Sequence, residues 1–397
     1  MYREPSVYDN VSVAQLLARG SAKWTHYGDD VLAAWVAEMD FLLAPPIQEA
    51  LRAAVDRGCA GYPDATRSGL PEAVAAWLAE LGVHVAPEQV QTLPDVLKGL
   101  ELGIDVFSPP GSAVIVPTPA YPPFFSVSKL LGRPILEAPM RNDQGCPHLD
   151  LDGIDRAFAA GGKTLILCNP HNPLGRLFSG DELRALAEIV ERHGGRVVAD
   201  EVHGPLTYPG EIFTPYAAAS PLAASHSLTL LSASKGWNVP GLKCAQLVLT
   251  QPADLARWRE MSPLRSHGAS ILGILANRVA YEAGRPWLAD TLTYLDGNRR
   301  RLSDLLAIHL PTVGYRMPEA TYLAWLDCRR LGLENPATFF LEQAKVAVSD
   351  GAAFGAPGQG FVRLNFATSA ALLERIVTAM AAAVATRRTA PRSLAMS

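Results

Sequence analysis

From about Ala44 to Thr250 the chain alternates short apolar runs with segments whose apolar residues recur at helical spacing. "SAVIVP" (112–117), "KTLILC" (163–168), "GRVVAD" (195–200), "SLTLLS" (227–232) and "CAQLVLT" (244–250) are short, rich in branched or leucine side chains and bounded by turn formers. That pattern predicts strands buried on both faces. Between them Leu70, Val74, Trp77, Leu78 and Leu81 share one helix face, with Pro71 near the start, where a missing N–H costs nothing. Ser179 and Glu182 make a capping-box pattern ahead of Leu183, Leu186 and Val190. Alternating strands and helices predict an α/β fold whose mostly parallel sheet is covered on both faces.

After about residue 270 the pattern changes. "ILGILANRVAYEAG" and "WLADTLTYLDGNRRRLSDLLAIHL" have helical periods, "TYLAWLDC" and "GFVRLNFA" are predicted strands, and "SAALLERIVTAMAAAVATRR" is an amphipathic helix capped by Ser369. Three parts are expected: a segment 1–44 that packs with the smaller domain, a large domain 45–270, and a small α+β domain 271–397 with disorder from about residue 386. The Gly-rich run "DGAAFGAPGQG" is expected to be a turn of the small domain, because it does not join a strand to a helix in a βαβ unit.

Composition narrows the function classes. A chain of 397 residues exceeds one ordinary core. A net charge of -4 offers no electrostatic footprint for nucleic acid or an anionic membrane. The five cysteines are odd in number and form no CxxC pair, which predicts reduced thiols in a cytosolic protein. The start, "MYREPSVYDN", has no apolar signal-peptide core, and no stretch approaches eighteen uninterrupted apolar residues. A cytoplasmic protein with no nucleic-acid partner, no membrane partner and no metal is expected.

The candidate chemistry lies where the predicted strands end, since open α/β sheets gather ligands at their carboxyl ends. "KTLILC" runs into "NPHNPLGR", "GRVVAD" into "DEVH", and "SLTLLS" into "SASK". Asn172, Asp200, His203, Ser232, Ser234 and Lys235 should therefore converge on one edge. Singly, each reads as a turn or cap residue; jointly, after three strands, they read as a site. Lys235 lies between the apolar runs "LTLLSAS" and "GLKCAQLVLT", and a buried ammonium is costly unless it is paired or used covalently. A lysine, a buried aspartate and a group of hydroxyls suit pyridoxal phosphate. The lysine forms a Schiff base, and the aspartate keeps the pyridine nitrogen protonated. Hydroxyls, N–H groups and Lys243 hold the phosphate, and Tyr121 in "PTPAYPPF" is placed to stack on the ring.

With these residues the chain resembles the fold-type I pyridoxal-phosphate enzymes of the class I/II aminotransferase superfamily. It is most similar to the MalY/PatB-type cystathionine β-lyases, or C–S lyases. The resemblance runs from "WVAEMDF" (35–41) and "GYPDATRSGL" (61–70) through the motifs above to "SASKGWNVPGLK" and "FVRLNFA". It implies a large domain with a seven-stranded, mostly parallel sheet and a smaller α+β C-terminal domain. It also implies roles: Lys235 as Schiff-base lysine and proton shuttle, Asp200 on the pyridine nitrogen, Asn172 on the ring 3-hydroxyl and Tyr121 stacked. His203 stands where aminotransferases often carry a tyrosine that reaches the 3-hydroxyl. Arg363 would clamp the substrate α-carboxylate, with Trp35 and Asp40 of the "WVAEMDF" lid segment on the substrate side. Ser232, Ser234, Lys243 and the backbone N–H groups of Val96 and Leu97 would hold the phosphate; "LPDVLKG" there replaces the usual glycine-rich turn. Tyr62 would reach the phosphate of a second subunit, so a homodimer with shared active sites is implied. The implied reaction is β-elimination from L-cystathionine or a related cysteine S-conjugate, giving thiol, pyruvate and ammonia. Transamination of an L-amino acid, or a regulatory protein that retains the cofactor, are the alternatives.

Overall fold

The computed structural model describes residues 7–143 and 145–389. Seven strands form its main sheet: β1 Val90–Leu93, β2 Ala113–Thr118, β3 Ile135–Pro139, β4 Gly162–Cys168, β5 Arg196–Asp200, β6 Ser227–Leu231 and β7 Ala245–Leu249. Across the sheet the order is β1-β7-β6-β5-β4-β2-β3. Only β7 runs against the rest, antiparallel to both β6 and β1. The five apolar runs of the sequence are β2, β4, β5, β6 and β7. The two strands that the pattern does not predict, β1 and β3, are the sheet edges, where half-exposed Gln91, Thr92 and exposed Glu137 interrupt the apolar run.

Alternate residues of the inner strands feed two separate cores. Val114, Val116, Ile166, Val198, Leu228 and Leu230 pack on one face with Leu100, Ile104 and Phe107. Ile115, Leu165, Leu167, Val197 and Ala199 pack on the other with Leu183, Leu186 and Val190. Both faces are apolar, which is why these strands read as continuous hydrophobic runs rather than as alternation. The helices that matter below are α1 Pro45–Asp56, α2 Leu70–Glu80, α3 Val96–Phe107, α4 Gly180–Arg192, α5 Ile271–Ala283, α6 Arg285–His309 and α7 Ala370–Thr389. At α4 both arms of the Ser179–Glu182 capping box are present, a device worth about 1 kcal/mol.

The chain divides into two compact units. The larger holds Leu43–Thr293 with Glu319–Thr321; the smaller gathers the chain up to Leu42, Tyr294–Pro318 and the chain from Tyr322. The division therefore falls within α6 and not at residue 270. Helix α5 stays with the larger unit because it packs against α1 and α2. The smaller unit has an antiparallel sheet of β8 Gly314–Tyr315, β9 Leu323–Asp327, β10 Ser349–Asp350 and β11 Phe361–Asn365, in the order β8-β9-β11-β10. Leu32–Ala33 pairs in parallel with Val346–Ala347, which ties the N-terminal segment into this unit. Disorder was expected from about residue 386, but α7 continues to Thr389; residues 390–397 lie outside the described residues. Among the described residues no helix is long and apolar enough to cross a membrane, and all five cysteines are free thiols.

Candidate functional site

Strand register brings the polar loops level. Cys168 is the partner of Asp200 across β4 and β5, and Asp200 is the partner of Leu230 across β5 and β6. The loops after the three strands therefore leave the sheet side by side, at a spacing of roughly 4.8 Å per strand. Asp200 is buried, and its Oδ1 accepts the Val202 N–H at 3.2 Å. Burial pushes its carboxyl up to about 6, opposed by the Val202 N–H and by the Lys235 ammonium. Asp200 and Lys235 thus act on each other electrostatically.

Asn172 and His203 are also buried at this edge. Asn169 pins the loop before Asn172: its Nδ2 donates to Thr214 O at 3.0 Å and its Oδ1 accepts the Phe178 N–H at 3.3 Å. The His171 ring approaches Pro119 O at 2.8 Å through Nε2, which couples this loop to the one after β2. Two residues on, half-buried Tyr121 opens the helix Pro122–Leu130 and packs edge-on against Phe124 with centroids 5.6 Å apart. The donor set assembled here is a buried carboxylate beside an amine, a buried amide and a phenol ring. It fits a protonated pyridine ring that bears an amine-reactive aldehyde.

Half-buried Lys235 lies in the short turn Ala233–Gly236. The turn is held from α5 by Asn277, whose Oδ1 accepts the Ala233 N–H at 2.9 Å while its Nδ2 donates to Gly273 O at 2.9 Å. A Cβ on Gly273 would lie 2.0 Å from Leu242 O, so only glycine lets α5 approach this closely. Sequence reading missed Asn277. The available signal was a polar residue on the helix stripe of Gly273, Ile274, Ala280 and Tyr281.

Ser232 and Lys243, expected around the phosphate, bond partners within the chain. Ser232 Oγ donates to Cys244 O at 2.8 Å and accepts the Ser234 N–H at 3.0 Å, so its hydroxyl closes the turn. Lys243 Nζ is 2.9 Å from Asp95 Oδ2. Asp95 also caps α3 by accepting the Lys98 N–H at 2.8 Å, and the Leu97 N–H reaches it too. Burial works to raise the Asp95 carboxyl, but Lys243 and these N–H groups leave it below its ordinary value. A carboxylate therefore takes Lys243 and the Leu97 N–H at a helix N-terminus, the place where an anion is favoured. Val96 and Ser234 are half-buried, and Tyr62 is fully exposed on its loop.

The three remaining expected residues belong to the smaller unit. Arg363, in mid-β11, is buried; its Nη2 donates to Trp35 O at 3.0 Å and to Ser349 Oγ at 3.2 Å, and its guanidinium lies 5.0 Å from the Phe354 ring centre. Trp35 packs against His26 and Tyr27 and donates its indole N–H to Lys23 O at 3.0 Å. Asp40 Oδ1 is 2.9 Å from Lys23 Nζ and accepts the Trp24 indole N–H at 2.7 Å, partners that a buried carboxylate needs. Ser349 and Lys23 carried no sequence signal.

The model of the aminotransferase class I and II family matches residues 33–380. Cystathionine β-lyase of Corynebacterium glutamicum is 40% identical over 368 residues, 91% of this chain and 95% of that one. Cystathionine β-lyase PatB of Bacillus subtilis strain 168 is 35% identical over 372 residues, 90% of this chain and 95% of that one. The structure of the PLP-bound C–S lyase from Staphylococcus hominis matches with a TM-score of 0.88 at 26% identity, over 95% of this chain and 98% of that one. The chain belongs to the aminotransferase class I and II family and, within it, to the PatB-type cystathionine β-lyases.

Proposed function

We propose that the protein is a pyridoxal-phosphate-dependent carbon–sulfur β-lyase that cleaves L-cystathionine or a related cysteine S-conjugate. The observation that carries this reading is the buried Asp200 carboxyl acted on by the Lys235 ammonium at the carboxyl ends of adjacent strands. When bound, pyridoxal phosphate supplies the electron sink for charge that develops at the substrate α-carbon. Asp200 would hold the proton at the ring nitrogen. Asn172 and His203 would bond the ring 3-hydroxyl, and Tyr121 would cover one ring face. The phosphate would fall to Ser234, the Val96 N–H, Lys243 and the Leu97 N–H, the last two exchanging Asp95 for the incoming anion. Lys235 would take the α-proton and hold it at Nζ. Arg363 would bind the α-carboxylate with its planar fork.

Elimination conserves atoms with one water: L-cystathionine and water give homocysteine, pyruvate and ammonia. Transamination shares Lys235, Asp200 and Arg363, so these residues do not separate the two reactions; the relatives named cystathionine β-lyase support elimination. The deciding experiment incubates the holoenzyme with L-cystathionine and no keto acid. A lyase releases thiol, pyruvate and ammonia in equal amounts over many turnovers. A transaminase stops after one half-reaction and resumes only on addition of a keto acid, and that result would overturn the reading.

The exposed Tyr62 supports a homodimer in which each chain lends this residue to the other's phosphate site. Mixing Lys235→Ala chains with Tyr62→Ala chains should then recover activity, about a quarter of wild type for random re-pairing. An active monomer would exclude it. The free thiols support a reducing compartment, the cytoplasm.

A further inference from the structure

Lys23 is a buried charge with no part in the chemistry above. Its side chain is 0% exposed, with Nζ 2.9 Å from Asp40 Oδ1 and donating to Glu38 O at 3.0 Å. The other Asp40 oxygen, Oδ2, is buried with no hydrogen-bond partner among the described residues. An ion pair that leaves one buried oxygen unsatisfied is a weak source of stability, because desolvation offsets much of the attraction. Its effect is better read as geometry.

Residues 35–38 form no helix or strand, yet every carbonyl oxygen among them accepts from a side chain. Trp35 O accepts from Ser349 Oγ at 2.9 Å and from Arg363 Nη2 at 3.0 Å. Val36 O accepts from Asn365 Nδ2 at 2.6 Å, Ala37 O from Tyr322 Oη at 3.0 Å, and Glu38 O from Asn365 Nδ2 at 2.7 Å as well as from Lys23. Lys23 grips this strap at both ends. Its ammonium holds Glu38 and Asp40, and its own carbonyl accepts the Trp35 indole N–H at 3.0 Å. The strap is a row of acceptors, and the Trp35 carbonyl within it is one of the groups that hold Arg363 Nη2, with Ser349 Oγ the other.

We propose that Lys23 is a positioning residue for substrate recognition: by fixing the strap it orients Arg363 for an α-carboxylate. The proposal rests on the reading of Arg363 as the carboxylate clamp. Bidentate pairing depends on the angle of the fork, so a loosened Trp35 carbonyl should weaken carboxylate binding more than binding of the rest of the substrate.

The test uses full-length holoenzyme and two variants. Lys23→Met leaves Asp40 without its cation, whereas Lys23→Met/Asp40→Leu removes both partners of the ion pair, a replacement that is often neutral for stability. Affinities for L-methionine and for its decarboxylated counterpart, 3-(methylthio)propylamine, are read from the visible spectrum of the cofactor, beside thermal unfolding. The expected result is a fall of about tenfold or more in the amino-acid-over-amine ratio in both variants, including the double variant whose unfolding temperature recovers. With L-cystathionine, KM should rise by more than kcat falls. Lys23→Arg keeps the charge and should retain the ratio within about threefold; it also serves if the double variant does not fold. Equal weakening of both ligands, or an unchanged ratio in the double variant, would show a merely structural role and overturn the proposal. If Arg363→Ala leaves the ratio at the wild-type value, the clamp reading fails and the proposal fails with it. If wild type binds the amino acid preferentially but eliminates nothing from cystathionine, the lyase reading fails while the binding ratio still decides the role of Lys23.

Discussion

In the larger unit Asp200 ends one strand, and Lys235 lies in the turn that follows the neighbouring strand. In the smaller unit Arg363 lies in mid-strand and bonds Trp35, 328 residues away in sequence, and Ser349. The first arrangement draws its precision from strand register, which is repeated along the whole sheet and is expensive to shift. The second draws it from a few hydrogen bonds between side chains and one irregular segment. Groups of the first kind should respond to substitution through chemistry, and groups of the second kind through binding geometry.

The sharpest break in that comparison is Lys235→Ala. Loss of the amine should lower turnover by roughly 10⁴-fold or more, and borohydride reduction of the holoenzyme should leave no cofactor attached to the chain by mass spectrometry. Attachment at another lysine would undo the assignment of the larger unit. Arg363→Ala should lower kcat/KM by roughly 10²–10³-fold, chiefly through KM. Arg363→Lys should recover only part of that loss, since a point charge cannot bind a carboxylate as a fork. Steady-state kinetics with L-cystathionine checks both.

A smaller effect tests whether the Lys235 turn also needs support from beyond its own strand. Asn277→Leu leaves the Ala233 N–H without its present acceptor, at a cost of about 1–3 kcal/mol, read from urea unfolding. An unchanged midpoint and slope would mean that the strand alone holds the turn.

A separate effect is on pH dependence. Glu201 is pushed up to about 8 by burial; the Tyr216 N–H opposes the shift and the Asp200 charge adds to it. A folded value above the ordinary 4.5 means that the folded chain holds this proton more tightly than the unfolded chain. The resulting stability is complete below the unfolded value and is lost as pH rises through about 8. Glu201→Gln cannot ionise, so its melting temperature should fall less than that of wild type as pH is raised across this window. Parallel melting curves for the two proteins would show that Glu201 is not held in this state.

The parts of the fold legible in the sequence were those with a strong local pattern. The five inner strands were readable because both faces are apolar, and the capping box because its two residues lie one helical turn apart. The edges β1 and β3 were not, because half of an edge strand meets solvent and carries no clear period. The same division runs through the candidate site. Asn172, Asp200 and Lys235 were visible as polar breaks at strand ends, while Arg363 was visible only through family resemblance, because nothing in "GFVRLNFA" distinguishes it from a surface arginine.

Sequence alone determined that this chain builds a doubly covered α/β sheet with a lysine, an aspartate and an asparagine at one edge. Burial periodicity and turn chemistry are properties of a few adjacent residues, so they survive without any knowledge of partners. Tertiary structure alone decided that Ser232 closes a turn, that Lys243 faces Asp95, that α5 belongs with the larger unit, and that Lys23 and Asp40 hold the strap behind Arg363. A polar side chain takes whichever partner the fold brings within about 3 Å, and here those partners lie as far as 328 residues away along the chain.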